Sequence, residues 1–394
     1  MINKSLYNYM ELMLRNTPDK FTRYINADIN WESRLIGITG PRGVGKSTML
    51  LQRIKANMDK SQIGTPYLYV TADHTYFANN TLIDLADEFA KEGGQWLYID
   101  EIHKYANWSR ELKQIHDTHP DIKVVFTGSS VLDIRQGEAD LSRRAVMYSM
   151  QGLSFREYLA LFHGINVPVY SLEDILSHKA EVPVEHPLPY FKDYLKQGYY
   201  PFAIEGDFER RMQTVVSQTI EVDIPQYANL NAATARKLKR MVSIIAEMVP
   251  FKPNMESIAQ EVGVSKNNMP TYFTYLERAN IISMLRADIA GLRELGKIEK
   301  IYIDNPSLMT AMAVEQPNVG TIRETFFYNQ MRLRHNVAAS KTTDFIIGDY
   351  SFEVGGKKKG SRQIEEERNG IIVRDDIEYG HGIITPLWAY GLTY

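Results

Sequence analysis

The stretch Gly40-Pro41-Arg42-Gly43-Val44-Gly45-Lys46-Ser47-Thr48 constrains this chain more than any other. Two glycines four residues apart, then Lys and Ser, make a loop whose backbone can close around a phosphate. Its context fits, because the apolar run Leu35-Ile36-Gly37-Ile38-Thr39 reads as a strand and Thr48 to Lys55 follows with helical spacing. That order separates the motif from a Gly-rich turn before an ordinary helix. Gly40, Gly43 and Gly45 permit positive φ, so successive N–H groups converge on an anion at a helix N-terminus. Lys46 then reaches the β- and γ-phosphates of ATP, and the Ser47 hydroxyl ligates Mg²⁺.

Chemistry is expected downstream at the ends of further strands. Pro66 to Thr71 reads as a second strand, and Thr81 to Lys91 as a helix with Leu82, Leu85, Ala86 and Phe89 on one face. Gln95-Trp96-Leu97-Tyr98-Ile99 is an apolar strand finishing in Asp100-Glu101, where a doubly wound sheet places its ligand chemistry. Asp100 fits the role of holding Mg²⁺, and Glu101 that of general base. A solvated turn is the plainer reading of such a pair, and His103 reads as its solvated neighbour. Ile122 to Ser130 is a third strand; Ser129, with Thr127 second, is a candidate to bond the γ-phosphate or the attacking water. Asp140 to Met150 is a basic corner entering a fourth strand, where Arg143 or Arg144 is a candidate for stabilising transition-state charge.

A length of 394 residues predicts two to four domains, and 44% hydrophobic with 24% charged residues is an ordinary globular balance. A net charge of −3 provides no global attraction for DNA, so any such contact needs a local patch. The absence of Cys removes disulfides, thiolate zinc sites and Cys nucleophiles. No signal-peptide segment and no apolar run of membrane-spanning length are visible, so the expected location is the cytoplasm, with no membrane partner.

The remaining chain reads as an amphipathic helix over residues 5 to 25, with its apolar residues between Leu6 and Leu14 and with Arg15 and Arg23 among its polar ones, leading into the first strand and, after the basic corner, a Pro-interrupted connector from about 164 to 202. Leu238, Met241, Ile244, Ile245 and Met248 form a helical stripe. Met255 to Val262, the Gly263-Val264-Ser265 turn and Lys266 to Ala279 continue a helix-turn-helix pattern, with Ile281 to Leu285 starting a wing. The third helix offers Lys266, Asn267, Asn268 and Arg278 to DNA; a lid or protein-contact role is the alternative. Farther on, Glu324 near a helix start, Asp344 and Glu353 on paired strands, and Lys357 have the layout of a Mg²⁺ nuclease.

Together, the Gly40–Ser47 loop, Leu97-Tyr98-Ile99-Asp100-Glu101-Ile102-His103, Val125-Phe126-Thr127-Gly128-Ser129-Ser130, Leu141-Ser142-Arg143-Arg144 and Gln151 to Leu159 resemble a family of prokaryotic AAA+ ATPases. The resemblance covers almost the whole chain. It implies an α/β P-loop NTPase parallel sheet, then a helical winged-helix domain and a small α+β restriction-endonuclease-like domain. The domains are expected at 1–163, 164–230 (connector), 231–316 and 317–394. The resemblance makes Asp100 and Glu101 the Walker B acids, Ser129 the sensor, and Arg143 or Arg144 the finger, with Arg144 ranked second. In that family the nuclease Lys stands two residues after the Glu, where this chain has Gly355. Residues two apart share a strand face, and a Lys displaced past Gly355 and Gly356 to position 357 need not meet the metal site, so a nuclease-like domain that has lost cleavage is expected. The function expected is Mg²⁺-dependent ATP hydrolysis coupled to the trailing domains, on DNA or in a homo-oligomer. An ATP-regulated nuclease and a non-catalytic DNA-binding regulator are the alternatives.

Overall fold

The computed structural model describes residues 4–58, 66–128, 141, 143–248, 250, 254–287, 297–313, 317–360, 364 and 367–394. The chain divides into two compact units, Met1–Gln151 and Gly152–Tyr394.

The first unit is built on five parallel strands: β1 (Leu35–Thr39), β2 (Tyr67–Thr71), β3 (Trp96–Asp100), β4 (Lys123–Thr127) and β5 (Val146–Ser149). Their order is β2-β3-β4-β1-β5, and every pairing is parallel. Parallel strands need crossovers, which helices provide. The helices are α1 (Lys4–Asn16), α2 (Ile25–Asp28), α3 (Lys46–Asn57), α4 (Leu82–Lys91) and α5 (Trp108–Thr118). β1 and β3 are apolar because both faces are covered, and their side chains are buried at nearly every position. Thr81 starts α4 through a reciprocal capping box with Asp84. Leu82, Leu85, Ala86 and Phe89 of α4 then pack with Leu68, Leu97, Ile99 and Leu112 in one core. With all strands parallel, the segments leaving β1, β3 and β4 emerge at the same sheet edge, so distant stretches of sequence converge there.

The second unit begins with the helix Phe155–His163, capped by a Ser154–Glu157 box. The sequence boundary at 163 places this helix with the ATPase domain. In the structure Phe155, Tyr158 and Leu159 are buried in one core with Phe326, Phe327 and Trp388, all in the second unit. Helices Ala232–Met248, Met255–Val262 and Met269–Arg278 are followed by an antiparallel ribbon of β6 (Ile282–Arg286) and β7 (Ile298–Ile303). A last sheet has the order β12-β11-β10-β9-β8. It contains β8 (Val337–Ala339), β9 (Phe345–Ile347), β10 (Tyr350–Gly355), β11 (Gly370–Arg374) and β12 (Ile384–Pro386). β8, β9 and β10 pair antiparallel, whereas β10, β11 and β12 pair parallel. Among the described residues no helix is long and apolar enough to cross a membrane.

Candidate functional site

The phosphate loop leaves β1 through Gly40, whose φ is 153°. A Cβ there would lie 2.1 Å from the Met150 carbonyl oxygen, so only glycine fits. Gly43 and Gly45 also have positive φ, at 83° and 92°, and Gly45 caps α3. Such a loop turns its amides toward one concavity at a helix N-terminus. The Lys46 side chain is buried and folds back onto the loop, its Nζ donating to the carbonyls of Gly40 (2.9 Å) and Pro41 (2.7 Å). Burial pulls its pKa down to about 8; Asp100 and Glu101 oppose the drop, and Arg42 and Arg23 add to it. Lys46 therefore lies within electrostatic reach of the acids that end β3.

Arg23 was visible in sequence only as part of the lead-in segment. It is buried, and its guanidinium donates to the Val44 carbonyl of the loop and, at 2.7 Å, to the Gln151 carbonyl. The lead-in helix ends at Asn16, short of Arg23, and a single Arg carries no signal from which this contact could be read.

Asp100 is buried at the C-terminal end of β3. Its Oδ1 accepts from the Thr127 hydroxyl and its Oδ2 from Tyr69 Oη at 2.8 Å. Thr127, the second choice for a polar strand-end residue, thus meets Asp100, and its Oγ1 also accepts from the Glu101 amide at 3.2 Å. Ser129, the first choice, lies outside the described residues. Glu101 has a left-handed backbone, φ 51°, a conformation that costs a non-glycine residue about 1–2 kcal/mol. Its carboxylate pairs with Lys104, which also donates to Asp73 at 2.6 Å. Burial pushes the Glu101 carboxyl up, yet the Lys104 ammonium outweighs burial and holds it below the ordinary glutamate range.

His103 is not a solvated neighbour: it is buried, and burial lowers its pKa to about 4, so it is neutral at pH 7. Arg143 is exposed, whereas Arg144 makes two 2.8 Å bonds to Asp117 of α5 and holds that carboxyl down at about 2.

In the second unit Glu324, Asp344 and Glu353 converge. Glu324 lies in the middle of the helix Val319–Met331, not at its start. The Lys300 ammonium bridges Glu324 and Asp344 at 3.0 Å each, and Tyr302 Oη donates to Glu324 at 2.8 Å. Lys359, not Lys357, reaches Glu353; Lys357 is exposed. Burial together with Asp344 raises the Glu324 carboxyl, and burial raises that of Glu353.

Mg²⁺ and a triphosphate fit the first site. The inward-turning glycine loop, Ser47 in the first turn of α3 and the remaining lone pairs of Asp100 supply amides, a hydroxyl and a carboxylate. The acidic cluster of the second unit does not fit a divalent ion, because a lysine ammonium already stands between two of its carboxylates. Among the described residues no group of three or more His, Cys, Asp or Glu is placed to hold a metal.

Residues 32–159 match the model of an AAA domain. The match spans all five strands of the first sheet together with the loop and Asp100-Glu101. Residues 188–318 match a second model, described as a domain of unknown function. Two uncharacterized proteins of Methanocaldococcus jannaschii are similar over most of the chain. MJ1637 is 25% identical, covering 94% of this chain and 86% of its own length. MJ1544 is 22% identical, covering 85% and 75%. Among solved structures, the Walker-type ATPase PABY2304 of Pyrococcus abyssi is 13% identical, with 78% of this chain and 95% of that chain covered and a TM-score of 0.42. The Holliday junction branch migration motor RuvB of Thermotoga maritima is 15% identical, covering 72% and 89%, with a TM-score of 0.28.

Proposed function

We propose that the first unit binds ATP with Mg²⁺ and hydrolyses it, and that the nucleotide state governs what the second unit does. One observation carries the reading: Lys46 is buried against the glycine loop that leaves the C-terminal end of β1, and Asp100 and Glu101 stand at the same end of β3 in the same parallel sheet, although more than fifty residues of sequence separate them. The loop amides of Gly40 to Thr48 and the Lys46 ammonium hold the β- and γ-phosphates. Bound Mg²⁺ would neutralise charge on the phosphate oxygens, held by Ser47 and Asp100. Glu101 accepts the proton of the attacking water once Lys104 releases it. Ser129 orients the γ-phosphate, and Arg143 or Arg144 stabilises transition-state charge within the chain or from a second copy of it.

The Lys300 bridge favours a second unit that binds rather than cleaves. DNA is the candidate partner, although Lys266 is already paired with Glu256 at 2.9 Å, which favours a lid or protein-contact role for this helical region. Phosphate release from ATP tests the proposal, measured per protomer with and without duplex DNA. Turnover that Lys46→Ala abolishes is expected; turnover indifferent to Lys46→Ala overturns it. A rate per protomer that rises with protein concentration marks a site completed between subunits.

A further inference from the structure

Asp100 is gripped on both oxygens, and the two grips differ in origin. Thr127 comes from β4, the neighbouring strand on one side, and belongs to the polar strand end that sequence reasoning already singled out. Tyr69 comes from β2, the neighbour on the other side, and no functional pattern includes it. Its phenol is buried, its Oη lies 2.8 Å from Asp100 Oδ2, and parallel register places Tyr69 beside Tyr98, two residues before Asp100. A tyrosine is long enough to cover that offset along the sheet, whereas a serine or threonine at position 69 is not.

Tyr69 is itself held. The Tyr9 ring of α1 lies parallel to it, with centroids 6.2 Å apart and an interplanar angle of 14°. Met10 Sδ accepts from the Tyr69 amide at 3.3 Å, and the His74 and Tyr9 rings meet at an angle of 64° with centroids 5.4 Å apart. A chain of contacts therefore runs from the lead-in helix through Tyr9 and Tyr69 to the carboxylate of Asp100.

We propose that Tyr69 is a positioning residue for the metal-binding carboxylate, aiming the lone pairs of Asp100 that Tyr69 and Thr127 leave open. The inference rests on Asp100 holding the nucleotide's divalent ion. Donors to a ligating carboxylate fix its orientation, and their loss typically lowers metal affinity or activity about 10–100-fold. Without the hydroxyl, Asp100 Oδ2 loses the donor that restrains rotation toward or away from the ion.

The test uses the full chain, Mn²⁺ as probe and the non-hydrolysable β,γ-imido analogue of ATP, with free Mn²⁺ followed by electron paramagnetic resonance. Nucleotide affinity is measured separately in EDTA. Tyr69→Phe is expected to weaken Mn²⁺ binding in the ternary complex by about tenfold or more, while metal-free nucleotide affinity stays unchanged. Tyr9→Leu, which keeps the hydroxyl and removes its stacked support, is expected to give a smaller loss of the same sign. A folded Tyr69→Phe protein with unaltered Mn²⁺ affinity overturns the positioning role and leaves the ATPase reading intact. Equal losses with and without metal also overturn it, because they mark general damage to the loop. A parent protein that binds the analogue in EDTA but no Mn²⁺ alongside it overturns the role of Asp100, and one that binds no analogue overturns the ATPase reading too.

Discussion

Replacing Lys46 by Met is expected to abolish nucleotide binding while stabilising the nucleotide-free protein. The Lys46 ammonium is buried, and its pKa falls from an ordinary 10.5 to about 8 with burial as the main cause. At about 1.4 kcal/mol per pH unit, keeping that charge inside the folded loop at neutral pH costs about 3 kcal/mol. Methionine removes the charge and keeps most of the buried stem. The carbonyls of Gly40 and Pro41 lose a donor, which returns about 1 kcal/mol. A net gain of about 2 kcal/mol remains, or about 4–8 °C in melting temperature for a unit of this size. The pH dependence follows from proton counting. Between about 8 and 10.5 the folded parent binds fewer protons at Lys46 than the unfolded chain, so its stability rises with pH across that window and is flat from this source below it. Lys46→Met lacks this rise. Thermal melts from pH 7 to 10.5, paired with binding of a fluorescent ATP analogue, check both parts. A Lys46→Met protein that melts below the parent at pH 7, or a parent without the alkaline rise, refutes the reasoning.

Other perturbations separate binding from chemistry. Glu101→Gln is expected to slow ATP turnover at least a hundredfold, the order of a lost general base, with nucleotide affinity retained; phosphate release and equilibrium binding distinguish the two. Gly40→Ala, whose methyl would meet the Met150 carbonyl, is expected to lower both melting temperature and nucleotide affinity, whereas the same change at Gly93, which has open space around it, leaves affinity unchanged. Lys300→Met uncovers Glu324 and Asp344, and is expected to create a Mn²⁺ site in nucleotide-free protein that a second change, Glu324→Gln, removes. Arg144→Ala breaks only an exposed pair with Asp117 and is expected to leave the melting temperature unchanged; a drop in kcat at unchanged nucleotide affinity identifies it as the finger.

The sequence by itself determined the strand–loop–helix core. Gly40, Gly45, Lys46 and Ser47 fall within one short stretch of the chain, and the chemistry they impose is local. The apolar run before Asp100 likewise located a strand end, because four consecutive apolar or aromatic residues, Trp96 to Ile99, finishing in two acids have few other uses. The site's surroundings depended on contacts between segments far apart in sequence. Tyr69 meets Asp100 only because β2 and β3 pair in one register, and Arg23 meets Val44 only because the chain before β1 returns to the loop. Burial also decided the state of His103, since two acids next door predict solvent and only the packed fold removes it. In the second unit, spacing along a strand pointed past Lys357 without naming a replacement. The turn after β10 carries Lys359 back to Glu353, and Lys300 arrives from β7. Sequence patterns record periodicity along one segment; which charges share a buried space is settled when separate segments pack, and that was the contribution of the tertiary structure.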